Sequence, residues 1–263
     1  MSTKLIIMSD YGLDDAVATA WLLDNNKWDS IDIVAIAGNT TADNSLNNAH
    51  KLLHQRGKLH NVTLVDTVDQ IQNYAHLPSI HGVDGMGDLY KDATRYANTV
   101  KFDTWLSNLD KNQTIDIASL GPATLVVPLL KHLDCKCNDL LMMGHNIRHQ
   151  PNYQGEEFNF ALDIENFVWC LKHTDCKVAT LDTCRDATFN LSGRRVSDNS
   201  MFGQLLNKSI ELAELRHQDN AYVYDYIAVR YLVNNEFDIV QDVDTRGNKL
   251  NHLKVNCRVD LLK

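Results

Sequence analysis

The chain has 263 residues, 44% of them hydrophobic, which supports one sizeable globular core rather than a disordered or fibrous chain. A formal net charge of −9 argues against nucleic acid or an anionic membrane as the main partner. No basic start leads into a long apolar run, and no stretch of about twenty apolar residues occurs, so neither a signal peptide nor a membrane span is expected. The six cysteines, of which only Cys135 and Cys137 are close in sequence, suit the reduced thiols of a cytoplasmic protein better than a zinc site.

In chain order, LIIM (5–8) reads as a buried strand, and DDAVATAWLLD (14–24) carries apolar residues at helical spacing. IDIVAIAG (31–38) is a second strand, ADNSLNNAHKLLHQRG (42–57) a helix and VTLV (62–65) a third strand. IDIASLG (115–121), LLMMG (140–144) and VATLD (178–182) continue the strands, with PATLVVPLLKHL (122–133) and IENFVWCLKH (164–173) as the helices between them. Residues 197–216 have a helical pattern and are expected outside this alternating core. Strand and helix in alternation predict an α/β fold, an open, mostly parallel Rossmann-like sheet with helices on both faces. Four prolines and no low-complexity linker predict a single domain over residues 1–263.

Ligands of open parallel sheets collect at the carboxyl ends of the strands. Asp10, Asp14 and Asp15 follow the first strand, Asn39 the second, Gly121, Pro122 and Thr124 the IDIASLG strand, and His145 and Asn146 the LLMMG strand. These ends offer oxygens and amides with no arginine or lysine among them, so a phosphate cradle is not expected. Gly12 permits a tight reversal after Asp10, and one carboxylate suffices to cap the helix beginning near Ala16. Three carboxylates exceed what capping needs, and a hard divalent cation shared among them removes their repulsion.

MSDYGLDDA (8–16) resembles the D-x-D-P-G-x-D-D-A signature of the inosine–uridine preferring nucleoside hydrolases. Further similarities follow in the same order: AGNTT (37–41), HGVDGMG (81–87), GPATLV (121–126), MMGH (142–145), GEEFNFALDIENF (155–167) and YDYIAV (224–229). The resemblance implies that fold, hydrolysis of the N-glycosidic bond of ribonucleosides, and one Ca²⁺ at the strand ends. Carried over by position, Asp10, Asp15, the backbone carbonyl of Thr124 and Asp225 match the calcium ligands. Asp10 also matches the base that takes a proton from the metal-bound water. Asp14, Asn39, Glu157 and Asn159 match groups holding ribose hydroxyls, Met143 an apolar contact beneath the sugar, and Asn152 a second amide near the 5′-hydroxyl. A homodimer or homotetramer is implied. The residue types agree with the chemistry, since an oxocarbenium-like sugar calls for negative charge around the ring and an activated water.

Four positions depart from the family pattern. Met8 stands in place of the first aspartate, which is expected to weaken metal affinity; Tyr11 replaces proline, and His145 replaces glycine. Tyr224 replaces the histidine that in many members helps protonate a purine. Because phenol is a poor acid near neutral pH, and because pyrimidine-specific members use tyrosine-type groups on this helix, pyrimidine nucleosides are the expected substrates. Tyr224 and His217 are the candidate leaving-group residues, with Tyr222 and His81 lining the base pocket. The alternative for Tyr222 and Tyr226, four apart, is packing on a helix face. The stretch between LDTCRDATFN (181–190) and YDYIAV is short for the family, and no final helix follows CRVDLLK (257–263). These departures leave open a catalytically impaired paralogue that binds a ribosyl ligand or serves as an assembly subunit. A phosphatase built on an aspartate after the first strand is disfavoured, because Gly12 stands where its second aspartate belongs.

Overall fold

Leu5 and Ile7 face one side of the first strand, β1 (Thr3–Ser9), and Ile6 and Met8 the other, and each pair is wholly buried in its own apolar cluster. A central strand buried on both faces reads as a continuous apolar run, which is why LIIM carries no polar alternation. The computed structural model describes residues 2–57, 61–75, 77–89, 96–197, 199–216 and 220–262. After β1 come α1 (Leu13–Asp24), β2 (Ser30–Ala35), α2 (Ala42–Arg56), β3 (Val62–Asp66), α3 (Pro78–His81), β4 (Thr99–Lys101) and α4 (Phe102–Asn108). The chain continues through β5 (Thr114–Ser119), α5 (Val126–His132), β6 (Asp139–Met143), α6 (Phe158–Leu162), α7 (Ile164–His173), β7 (Lys177–Ala179) and α8 (Leu181–Cys184). It then forms α9 (Met201–Leu215), α10 (Tyr224–Val233), β8 (Phe237–Val243) and β9 (Lys249–Val255).

The sheet runs β4-β3-β2-β1-β5-β6-β7-β9-β8, parallel throughout except for β8, which pairs antiparallel to β9 at the edge. From β1 the chain first builds outward through β2, β3 and β4, then returns to place β5 on β1's other side. Adjacent crossovers therefore leave in opposite directions at β1, and a crevice opens at its carboxyl end. Helices α1, α2, α9 and α10 supply the apolar cluster on one face, and α4, α5 and α7 that on the other. Among the described residues no helix is long and apolar enough to cross a membrane, and all six cysteines are free.

The expected α/β architecture is present, with local differences. The VATLD strand ends at Ala179, because the Thr180 hydroxyl accepts from Thr183 N (3.2 Å) and caps α8. The helix expected over 197–216 spans Met201–Leu215, capped by Ser200, and it contributes Phe202, Leu205, Leu206 and Ile210 to the core on the α1 side. Strands β4, β8 and β9 are additional to those read from the sequence.

Candidate active site

The first carboxylate turn is held from three directions. Ser9 Oγ donates to Asp15 Oδ1 (2.8 Å) and Gly12 N donates to Asp15 Oδ2 (2.9 Å), so Asp15 both closes the first turn of α1 and stays fixed within the nest. Asn39 donates to Asp10 twice, from its backbone N (2.6 Å) and from Nδ2 (3.0 Å). Tyr11 connects them with φ +48°, a left-handed conformation closed to proline, so this turn is built differently from one with proline there. Met8 does not face the nest, since its side chain lies in the cluster on the opposite side of the sheet.

The second half of the nest comes from near the other end of the chain. Asp225 is the second residue of α10, which packs beside α1, and Asp10, Asp15 and Asp225 are all buried. Asp14, Asp15 and Asp225 each present an oxygen, all three within 4.8 Å of one another. Asp15 also contacts the Asp10 and Asp225 carboxylates through its side chain. Burial pushes Asp10 up to about 7, and burial reinforced by neighbouring carboxylates holds Asp15 and Asp225 well above the usual range. Asp14 Oδ1 and Asp225 Oδ1 are buried without a hydrogen-bond partner among the described residues. Buried acceptors lacking donors, in an all-oxygen set, fit a hard divalent cation. Thr124 lies in the turn after β5, its hydroxyl donating to Asp163 Oδ2 (2.6 Å).

Above the nest is a cavity of about 260 Å³, sized for one small ligand. Asp14, Asn39, His81, Met143, Asn152, Glu157, Asn159, Tyr222, Tyr224 and Asp225 all line it, bringing together the substrate-contact residues expected from the sequence other than His217. The amides are already oriented. Asn159 Nδ2 donates to the carbonyls of Leu120 (2.9 Å) and Met143 (3.2 Å), and Asn39 Nδ2 to Asp10, which leaves each side-chain oxygen to accept from a ligand hydroxyl. Glu157 caps α6 and takes the N–H groups of Phe160 (3.0 Å) and His145 (3.1 Å) on Oε2, leaving Oε1 uncommitted to them. Burial raises Glu157 to about 7.

His81 Nδ1 accepts from Leu13 N (3.2 Å) at the start of α1, and burial lowers its pKa, so it is a neutral ring that caps a helix and lines the cavity at once. Tyr224 Oη accepts from Arg185 Nε (3.2 Å). Tyr226 is core, its hydroxyl donating to the Leu261 carbonyl (3.1 Å), whereas Tyr222 precedes the helix and lines the cavity. His145, with φ +68°, turns away against Phe160 (ring centroids 4.5 Å) and Asp244 (3.4 Å). His217 lies outside the described residues.

Two arginines, Arg185 and Arg216, also line the cavity. They arrive from the carboxyl ends of α8 and α9, beyond the strand-end positions that the sequence reading surveyed. Arg185 does follow β7 by one short helix, which is the signal that a longer window past each strand would have caught.

Gly38 provides the closest constraint, since a Cβ there would lie 1.9 Å from Asp10 Oδ2. Gly38→Ala is expected to destabilise the fold by about 1–3 kcal/mol through overpacking, read as a lower midpoint of thermal unfolding.

A family model for inosine–uridine preferring nucleoside hydrolases matches residues 5–261. The non-specific ribonucleoside hydrolase RihC of Salmonella paratyphi A is 26% identical over 171 residues, 62% of this chain and 56% of the relative. The matching region thus spans little more than half of that relative's length. Among solved structures, the purine-preferring ribonucleoside hydrolase from Gardnerella vaginalis superposes with a TM-score of 0.76 at 20% identity, covering 94% of this chain and 88% of that one. An inosine–uridine preferring nucleoside hydrolase from Bacillus anthracis gives 0.64 at 15% identity, covering 97% and 95%.

Proposed function

The chain belongs to the inosine–uridine preferring nucleoside hydrolase family, and from that premise we propose that it hydrolyses the N-glycosidic bond of ribonucleosides with the help of Ca²⁺. The observation that carries this reading is the convergence of three carboxylate oxygens within 4.8 Å beneath a cavity lined by Asn39, Glu157 and Asn159. Asp15 and Asp225, with the Thr124 carbonyl and Asp10 or Asp14, are the groups to hold the cation. When bound, it neutralises the crowded carboxylates and acidifies a water.

Asp10 takes the proton of the attacking water, its carboxylate held in place by the two Asn39 donors. Asn39 Oδ1, Asn159 Oδ1, Glu157 and Asp14 accept from the ribose hydroxyls and fix the sugar above Met143. Their partial and full negative charges surround the ring as it becomes oxocarbenium-like, an electrostatic match that is stronger in the transition state than in the substrate. Tyr224, a phenol whose pKa burial raises further, meets the base as a hydrogen-bond donor rather than as a full acid. Pyrimidine nucleosides therefore lead the expected substrates. Purified protein with calcium is expected to release free ribose from uridine or cytidine faster than from inosine or adenosine. Release from none of the four overturns the reading.

Stability is expected to report the cation as well. Without it, the raised carboxylates retain protons that the unfolded chain has lost above a pKa of about 4. Their contribution is fully present below that value and disappears as pH rises, through about 7 for Asp10, with Asp15 and Asp225 shifted in the same direction by burial and neighbouring carboxylates. Calcium needs the deprotonated oxygens, so its stabilising effect grows in the same direction. Saturating calcium is expected to raise the unfolding midpoint by about 5 °C at a pH near 8 and by far less at a pH near 5.5. Differential scanning fluorimetry, with and without chelator, checks this.

A further inference from the structure

Breaking an N-glycosidic bond separates charge, leaving the sugar positive and the base negative. The cavity holds charges of both signs. Asp14, Glu157 and Asp225 line it together with Arg185 and Arg216, which reach in from the ends of α8 and α9; both arginines interact electrostatically with Tyr224, and Arg216 more strongly with Asp14. Arg216 is tethered by Nη1 to the Ile80 carbonyl (2.9 Å), and its Nε is buried with no partner among the described residues. A guanidinium fixed by one carbonyl at the wall of a ligand cavity has further N–H groups to offer an acceptor there.

The second arginine is oriented differently. Arg185 Nη1 donates to the Gln150 carbonyl (2.9 Å), and its Nε donates to Tyr224 Oη (3.2 Å) while the guanidinium lies 5.8 Å from the phenol ring centre. Among the described residues Arg185 is the only hydrogen-bond partner of that oxygen. Because Oη accepts from Arg185, its own hydrogen is free to point into the cavity, and the charged donor polarises it.

We propose that Arg216 is a catalytic residue that donates to the departing base and stabilises it as an anion, and that Arg185 is a positioning residue that aims the Tyr224 hydroxyl at the same base. The proposal rests on the hydrolase reading and adds the means by which the leaving group departs. The C1′–N bond breaks with its electron pair going to the base nitrogen, the water oxygen bonds to C1′, and the water proton passes to Asp10. The base, held as an anion by Arg216 and Tyr224, then takes a proton from solvent, and Asp10 returns its own. No proton need be in place on the base beforehand.

The test compares uridine with p-nitrophenyl riboside, whose leaving group departs as a stable phenolate without help. Arg216→Gln is expected to lower kcat/KM on uridine by about 100-fold and on p-nitrophenyl riboside by no more than about 5-fold, with Arg216→Lys recovering part of the loss. Arg185→Gln is expected to lower kcat on uridine by about 10-fold with little change in KM, and to add nothing once Tyr224 is already phenylalanine. Equal slowing of both substrates by Arg216→Gln, or additive losses from Arg185→Gln and Tyr224→Phe, overturns the proposal. Failure of the unaltered protein to release ribose from p-nitrophenyl riboside and from all four nucleosides instead overturns the hydrolase reading, and this proposal with it.

Discussion

Asp10→Asn is expected to lower kcat on uridine by about 10³-fold while the protein still folds. Asp10 accepts two donors from Asn39, the backbone N at 2.6 Å and Nδ2 at 3.0 Å. An asparagine at position 10 can satisfy the backbone N–H with its oxygen, but its amide nitrogen then confronts the Asn39 amide. Turning the Asn39 side chain relieves that conflict and removes the Asn39 oxygen from the ribose. The substitution therefore costs the base and one sugar contact together, so KM is expected to rise as kcat falls. The fold survives because the change removes one of several buried like charges and preserves volume. Circular dichroism and a steady-state assay on the same preparation check both halves. Retention of the full rate removes Asp10 from the role of base.

Asp225→Asn is expected to weaken Ca²⁺ binding by at least about 100-fold, because even groups one step removed from a metal account for about 10- to 100-fold. Asp225 is the cleanest carboxylate at which to test the cation, since its Oδ1 has no hydrogen-bond partner among the described residues. Asp15, by contrast, holds Ser9 and Gly12, so its loss would confound folding with binding. Without calcium, Asp225→Asn is expected to raise the unfolding midpoint slightly at a pH near 8, where the crowded charges oppose one another most. With calcium, the increment seen for the unaltered protein is expected to vanish. Titration calorimetry measures the first effect and thermal melts the second. Calcium affinity equal to that of the unaltered chain would show that the nest is held together in some other way.

Much of this site was legible because its chemistry sits where parallel sheets put it. Asp10, Asn39 and Met143 lie at or directly beyond the carboxyl ends of β1, β2 and β6, and the apolar runs locate those ends to within a few residues. Glu157 and Asn159 were reached through the family pattern, not through periodicity, because α6 is a single short turn. Arg185 and Arg216 were hidden for a different reason. Arg216 owes its position to how α9 docks, a long-range outcome that no local spacing encodes, whereas Arg185 lies one short helix past β7. Tyr222, Tyr224 and Tyr226 show the same limit, since one is core and two line the cavity, a division set by where α10 begins. The β8–β9 hairpin escaped notice because exposed residues such as Ile239 and Val243 alternate with polar ones at an edge, which blurs the apolar signal.

The acidic nest also dictates an order of events during synthesis. Asp10, Asp14 and Asp15 leave the ribosome more than 200 residues ahead of Asp225. A nascent chain therefore carries an incomplete clasp throughout elongation, and α1 waits for α10 to supply its packing partner. Any product truncated upstream of α10 lacks Asp225, the carboxylate that completes the nest.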